Sequence, residues 1–157
     1  MIILVVFFCN YITVSQFVIF MIKYHMDKEL FDMKRHEERE KAMIVVYQHL
    51  LTGCDLVESM EDIFKMSKDE ISDFAKLLIN NSIANKDRYE GYINEVLEGW
   101  TFNRLGYIEQ AILLIGCTEF DNKTAQMPVI IDEVVIMAKK YCDMEAYKLI
   151  NGVLEKL

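Results

Sequence analysis

The chain has 157 residues with one proline and six glycines, enough length for one buried core and too few breakers for a loop-rich fold. Hydrophobic residues make up 53% and charged residues 27%, which excludes disorder. A formal net charge of −8, from 17 Lys and Arg against 25 Asp and Glu, excludes wrapping nucleic acid by bulk charge, so any such contact must be a local basic patch.

The first element, residues 1–32, is an apolar extension. Its opening run MIILVVFFCNYITVSQFVIFMI carries no charge before Lys23. As a helix it would span about 33 Å, against a hydrocarbon core of about 30 Å. Asn10, Thr13, Ser15 and Gln16 weaken the membrane case, and without a basic leader or small-residue cleavage site a cleaved signal peptide is disfavoured. Three readings compete: a start assigned upstream of the native one, a membrane anchor, and an extra helix packed on the body. Met21, Met26 and Met33 offer alternative starts, and the first reading is favoured.

The body, residues 33–157, opens on MKRHEEREKAM, which packs Lys34, Arg35, His36, Arg39 and Lys41 closely together. A nucleic-acid contact, a membrane-flanking cluster and a solvated helix start with Glu–Lys pairing all fit this run. Ala42, Val45, Val46, His49 and Leu50 fall at helical spacing over 34–51, and Gly53 is a plausible stop. Residues 54–66 read as a loop with a short helical piece. Ser67 with Glu70 forms a capping-box pattern, predicting a helix from about Lys68 to Ile83 on Ile71, Phe74, Ala75, Leu78 and Ile79. Tyr89, Ile93, Val96 and Leu97 predict another over 87–97, ended by Gly99 and Trp100. Residues 107–120 are apolar nearly all round, which marks the central buried helix. After the loop DNKTAQ, Pro128 suits the first turn of a helix running to about Tyr141, and Asp143 suits the N-cap of a last helix ending near Leu157. No strand pattern, internal repeat or low-complexity segment stands out.

Catalytic patterns are missing from the sequence. It has no phosphate-binding glycine loop, no nucleophile elbow and no His-Glu-x-x-His, and three scattered histidines make no triad. Cys9, Cys54, Cys117 and Cys142 lie far apart and read as reduced, buried thiols. Glu109, Glu119 and Glu133 interrupt apolar surfaces, where Arg104, Lys139 or helix N-terminal amides could satisfy them. Trp100, Phe102 and Tyr107 read as core filling rather than a stacking platform.

The C-terminal half, WTFNRLGYIEQAILLIGCTEF, MPVIIDEVVIMAKKY and YKLINGVLEKL, resembles the NusB family of bacterial transcription antitermination factors. The resemblance rests on Trp100, Arg104, Leu105, Glu109, Ala111 to Leu113 and Glu119, then Pro128, Ile131-Asp132-Glu133, Ala138-Lys139 and Asn151-Gly152-Val153-Leu154. Glu38 to Glu40, Ala42 and Tyr47-Gln48 resemble the family's opening helix; residues 54–95 match only in pattern.

The resemblance implies an all-α bundle of about seven helices in two packed helical subdomains. It further implies a cytoplasmic, cofactor-free, non-enzymatic protein. Such a protein binds boxA-type single-stranded RNA of ribosomal RNA leaders together with the ribosomal protein NusE, acts on RNA polymerase indirectly, and in some members forms a homodimer. The implied RNA-binding residues are Lys34, Arg35, His36 and Arg39 in a basic arm, with Glu145, Lys148 and Leu149 at the start of the last helix. Glu37 and Glu38 inside the arm, Leu149 where an aromatic is common, Leu114 where an Arg is often found, and Asp132 in place of Asn depart from the pattern. They imply weak RNA affinity alone, strengthened by the protein partner. A protein-only adaptor that binds NusE, or a membrane-anchored helical protein, are the other readings.

Overall fold

Caps and breakers set where the helices begin and end. In the computed structural model, which describes residues 14–157, α1 spans Val14–Thr52. It stops at Gly53, whose φ of +68° suits glycine and whose N–H donates to His49 O at 2.8 Å. Asp55 accepts from the Val57 and Glu58 N–H groups and so starts α2, Leu56–Phe64, a complete helix where a mostly irregular segment was expected. The helix α3, Asp73–Ala84, begins five residues later than expected. The Ser67–Glu70 pair does form, with Ser67 N–H donating to Glu70 Oε2 at 3.2 Å, but it closes a turn. Ser72 is the true N-cap, its Oγ accepting from Ala75 N–H at 3.1 Å, and buried Ile71 pins the chain just ahead of it.

The next helix, α4, spans Lys86–Val96, and a short 3-10 turn, Phe102–Arg104, follows. The turn hangs on Phe102, whose ring is fully buried and whose N–H donates to Asn94 Oδ1 at 2.7 Å. Then come α5, Tyr107–Asn122, α6, Met127–Tyr141, with Pro128 in its first turn, and α7, Met144–Leu154, capped by Asp143. The all-α expectation of about seven helices therefore holds: among the described residues there are seven α-helices and no strand.

Contacts divide the chain into two units, Met1–His36 and Glu37–Leu157. In the first, the described residues are helical and expose Phe17, Ile19, Phe20, Ile22, Leu30 and Phe31. Among the described residues no helix is long and apolar enough to cross a membrane; residues 1–13, over half of the charge-free run, lie outside them.

The second unit is built around α5. Every residue from Gln110 to Glu119 is buried, and α3, α4, α6 and α7 all contact this helix. Burying it on all sides explains why its sequence shows no polar stripe. Each fully buried Leu or Ile here contributes about 1.5–3 kcal/mol. Close packing needs a small residue at Gly116, where a Cβ would lie 3.0 Å from Leu154 Cδ2 on α7 and 3.4 Å from Val134 Cγ2 on α6. The buried hydroxyls are paired: Thr118 Oγ1 donates to Leu114 O at 2.8 Å, which leaves Ser82 Oγ of α3 to donate to Thr118 at 2.8 Å.

Candidate nucleic-acid interface

Arg39 is the residue on which the structure departs most from the expected phosphate contacts. It lies on the buried face of α1 and is 4% exposed. Its Nε donates to Glu119 Oε1 at 2.6 Å and its Nη2 to Glu119 Oε2 at 3.1 Å, a two-pronged pair that suits a planar guanidinium. Nη1 lies 3.7 Å from Glu133 Oε2, and the guanidinium carbon is 5.3 Å from the centre of the Phe74 ring. Thr124 Oγ1 completes the cluster by donating to Glu119 Oε2 at 2.5 Å. Arg39 thus holds α1 to α3, α5 and α6. A guanidinium so enclosed, 4% exposed and engaged by two carboxylates, serves the fold here rather than facing solvent with the rest of the basic run. The same cluster answers what satisfies Glu119 and Glu133, a role given above to Arg104, Lys139 or helix amides.

The other arm residues lie in the first unit. Lys34 is exposed, His36 is half-buried, and half-buried Arg35 lies 5.0 Å over the Phe31 ring. Arg39 and the last-helix residues belong to the second unit, so the expected set is divided between the two.

On α7, Asp143 Oδ1 accepts from Ala146 N–H at 2.8 Å and fixes the first turn. The first two turns present Glu145 and Lys148 to solvent, while Leu149 lies partly buried against the core. Glu145 and Leu149 line a groove whose other wall carries Trp100, Arg104 and Glu109. A second groove shares Gly106 and Glu109 with the first and is lined by Tyr47, Tyr107 and Tyr141. Glu40 fixes that wall: its Oε1 accepts from Tyr141 Oη and from Lys140 Nζ. Burial and the Glu40 carboxylate push the Tyr141 hydroxyl above its ordinary pKa, so it stays a neutral donor. Glu109 joins the two grooves. Its Oε2 is buried without a hydrogen-bond partner, and a Cβ on Gly106 would stand 2.2 Å from it. The bare glycine lets this carboxylate fold over the start of α5, where the helix dipole favours negative charge.

The aromatic content of this surface was not expected. Trp100 is 50% and Tyr107 46% exposed, and only Phe102 fills the core as predicted for all three. Tyr47 and Tyr141 had no site role in the sequence either. The pattern left one clue, since Trp100 falls after the last residue of the apolar set on 87–97 and Tyr107 sits at the very start of the apolar run 107–120. Chemically the surface offers flat rings and neighbouring cations, which suits stacking of unpaired bases beside a phosphate backbone. Among the described residues no cluster of His, Cys, Asp and Glu could hold a metal ion.

Comparison with known proteins places these features in a family. The sequence profile of the NusB family matches residues 36–157. The transcription antitermination protein NusB of an Exiguobacterium species is 34% identical over 123 residues, covering 78% of this chain and 94% of its own. That of a Nitratiruptor species is 31% identical over 125 residues, covering 78% and 90%. A solved structure of antitermination factors NusB and NusE in complex with dsRNA contains a chain 27% identical, with a TM-score of 0.67 over 77% of this chain and 92% of that one. The solution structure of NusB from Aquifex aeolicus is 27% identical, with a TM-score of 0.63 over 78% and 85%. With the match running from the end of the basic arm through the last helix, the chain belongs to the NusB family.

Proposed function

We propose that this protein is a transcription antitermination factor that binds boxA-type RNA of ribosomal RNA leaders together with NusE and works in the cytoplasm by binding rather than catalysis. The observation that carries the reading is the paired groove around Glu109, where Tyr47, Tyr107, Tyr141 and Trp100 are gathered with Arg104 on a family-matched body. The relative solved with NusE and dsRNA supports both partners. Lys34, Arg35 and His36 supply charge to phosphates from the arm, and Lys148 supplies it from α7. Glu145 and Leu149 border the base-binding groove. Arg39 acts indirectly by holding the start of the body together.

Isothermal titration of NusE into the protein, with and without boxA RNA, tests this. The expected result is a complex that RNA tightens. A complex with NusE that RNA leaves unchanged would favour a second reading, the protein-only adaptor. That reading draws on the withdrawal of Arg39 into the fold and on the acidic residues Glu109, Asp143 and Glu145 along the groove.

A further inference from the structure

We propose that Trp100, braced by Arg104, is the stacking platform for one unpaired RNA base in the groove that Leu149 also borders. The inference rests on the RNA-binding reading above and goes beyond it by naming the residue and the part of the nucleotide it holds.

Trp100 is the only tryptophan in the chain, yet 50% of it is exposed while neighbouring Phe102 is fully buried. Trp100 lines a groove that shares Gly106 and Glu109 with the one lined by Tyr47, Tyr107 and Tyr141, so its exposed ring belongs to an aromatic patch rather than to scattered surface residues. Its position is held by the turn that follows it. Phe102 anchors the following turn through its ring and through the 2.7 Å bond to Asn94, and Arg104 N–H donates to Thr101 O at 2.9 Å. The Arg104 guanidinium lies 5.3 Å from the indole centre, within cation–π range. The ring is therefore ordered before any ligand arrives, which lowers the entropy lost on binding.

The groove beside it admits a base more readily than a phosphate. Glu109, Asp143 and Glu145 line it and repel an anion, whereas a neutral ring loses nothing by lying there. Leu149 borders the same groove and offers apolar contact but no π face. Trp100 offers that face within the same groove, and stacking on an aromatic is tolerant of which base it receives.

The test uses the full chain with NusE and a labelled single-stranded boxA-like RNA, reading RNA anisotropy and tryptophan emission in the same samples. Trp100 is this chain's single tryptophan, so emission that remains after subtracting a NusE and RNA mixture lacking the chain reports on it. The inference expects emission to change along the same curve as anisotropy. It also expects Trp100→Leu to weaken binding about tenfold, the loss of one stacked base, and Trp100→Phe to restore most of it. Rescue by Phe separates stacking from general support of the fold. If Trp100→Leu does not fold, the wild-type emission curve and the Trp100→Phe affinity carry the decision. RNA that binds with unchanged emission and equal affinity for all folded variants would overturn the role of Trp100 while leaving RNA binding intact. No anisotropy change with NusE present would overturn the RNA-binding reading and this inference together.

Discussion

Arg39 and Glu119 lie 80 positions apart in sequence and meet as a buried two-pronged ion pair, 4% and 0% exposed, at 2.6 Å and 3.1 Å. Removing the arginine would strand a carboxylate inside the core with only the Thr124 hydroxyl and distant cations for company. Arg39→Ala is expected to destabilise the protein by about 3–5 kcal/mol, read as a drop in the urea midpoint. Arg39→Lys should recover only part of this, because an ammonium cannot engage both oxygens. An Arg39→Ala variant as stable as the wild type, but defective in RNA binding, would return Arg39 to the phosphate-binding set.

Gly116 sits where α5 comes closest to α6 and α7. Gly116→Val should overpack that junction and lower stability by about 1–3 kcal/mol, seen as a fall in Tm. Gly116→Ala should cost less, since Leu154 can shift by a few tenths of an ångström from the 3.0 Å contact.

How much of this was readable in the sequence depends on whether the determinant was local. Pro128, Asp143 and Gly53 mark helix ends through their own backbone chemistry and lie where expected. The all-round apolar run of α5 announced its central position. Ser67–Glu70 misled because two capping residues, Ser67 and Ser72, compete within a short stretch of chain, and the burial of Ile71 decides between them. The fate of Arg39 was not readable, since a basic run looks the same whether one member faces Glu119 or solvent. Trp100 was misread because composition counts an aromatic as core and cannot see that Phe102 already fills the space.

Asp143 links stability to the proposed interface, because the helix start it caps carries Glu145 and, one turn on, Lys148. Asp143→Ala should cost about 1 kcal/mol of stability and also weaken RNA binding by fraying that turn. Asp143→Asn, which keeps the cap, should restore both in parallel denaturation and anisotropy titrations.

Two thiols make stability sensitive to alkaline pH. Burial, with Asp121 nearby, pushes Cys117 from an ordinary 9.0 up to about 12, and burial, with Glu109 and Asp143, pushes Cys142 up to about 11. Both groups are neutral when protonated, so the unfolded chain loses these protons first as pH rises. Their contribution to stability is complete below about pH 9 and declines above it, across the interval up to the folded values. Urea midpoints should hold near neutral pH and fall between about pH 9 and about pH 11. Replacing both cysteines with alanine should reduce that slope; an unchanged slope would assign it to other groups.

On the proposed reading the arm contributes charge rather than shape. Lys34→Ala with Arg35→Ala should weaken RNA binding at low salt and reduce the salt slope by about one for each phosphate that the arm no longer neutralises. Tryptophan emission on binding should keep its amplitude, because the groove is untouched. An unchanged salt slope would remove both residues from the interface.

The most direct test of RNA binding as the function is anisotropy of a single-stranded boxA-like RNA with the full chain, at about 50 and about 200 mM salt, with and without NusE. The account predicts binding that weakens steeply with salt and tightens when NusE is present. No RNA binding under any of the four conditions would contradict it.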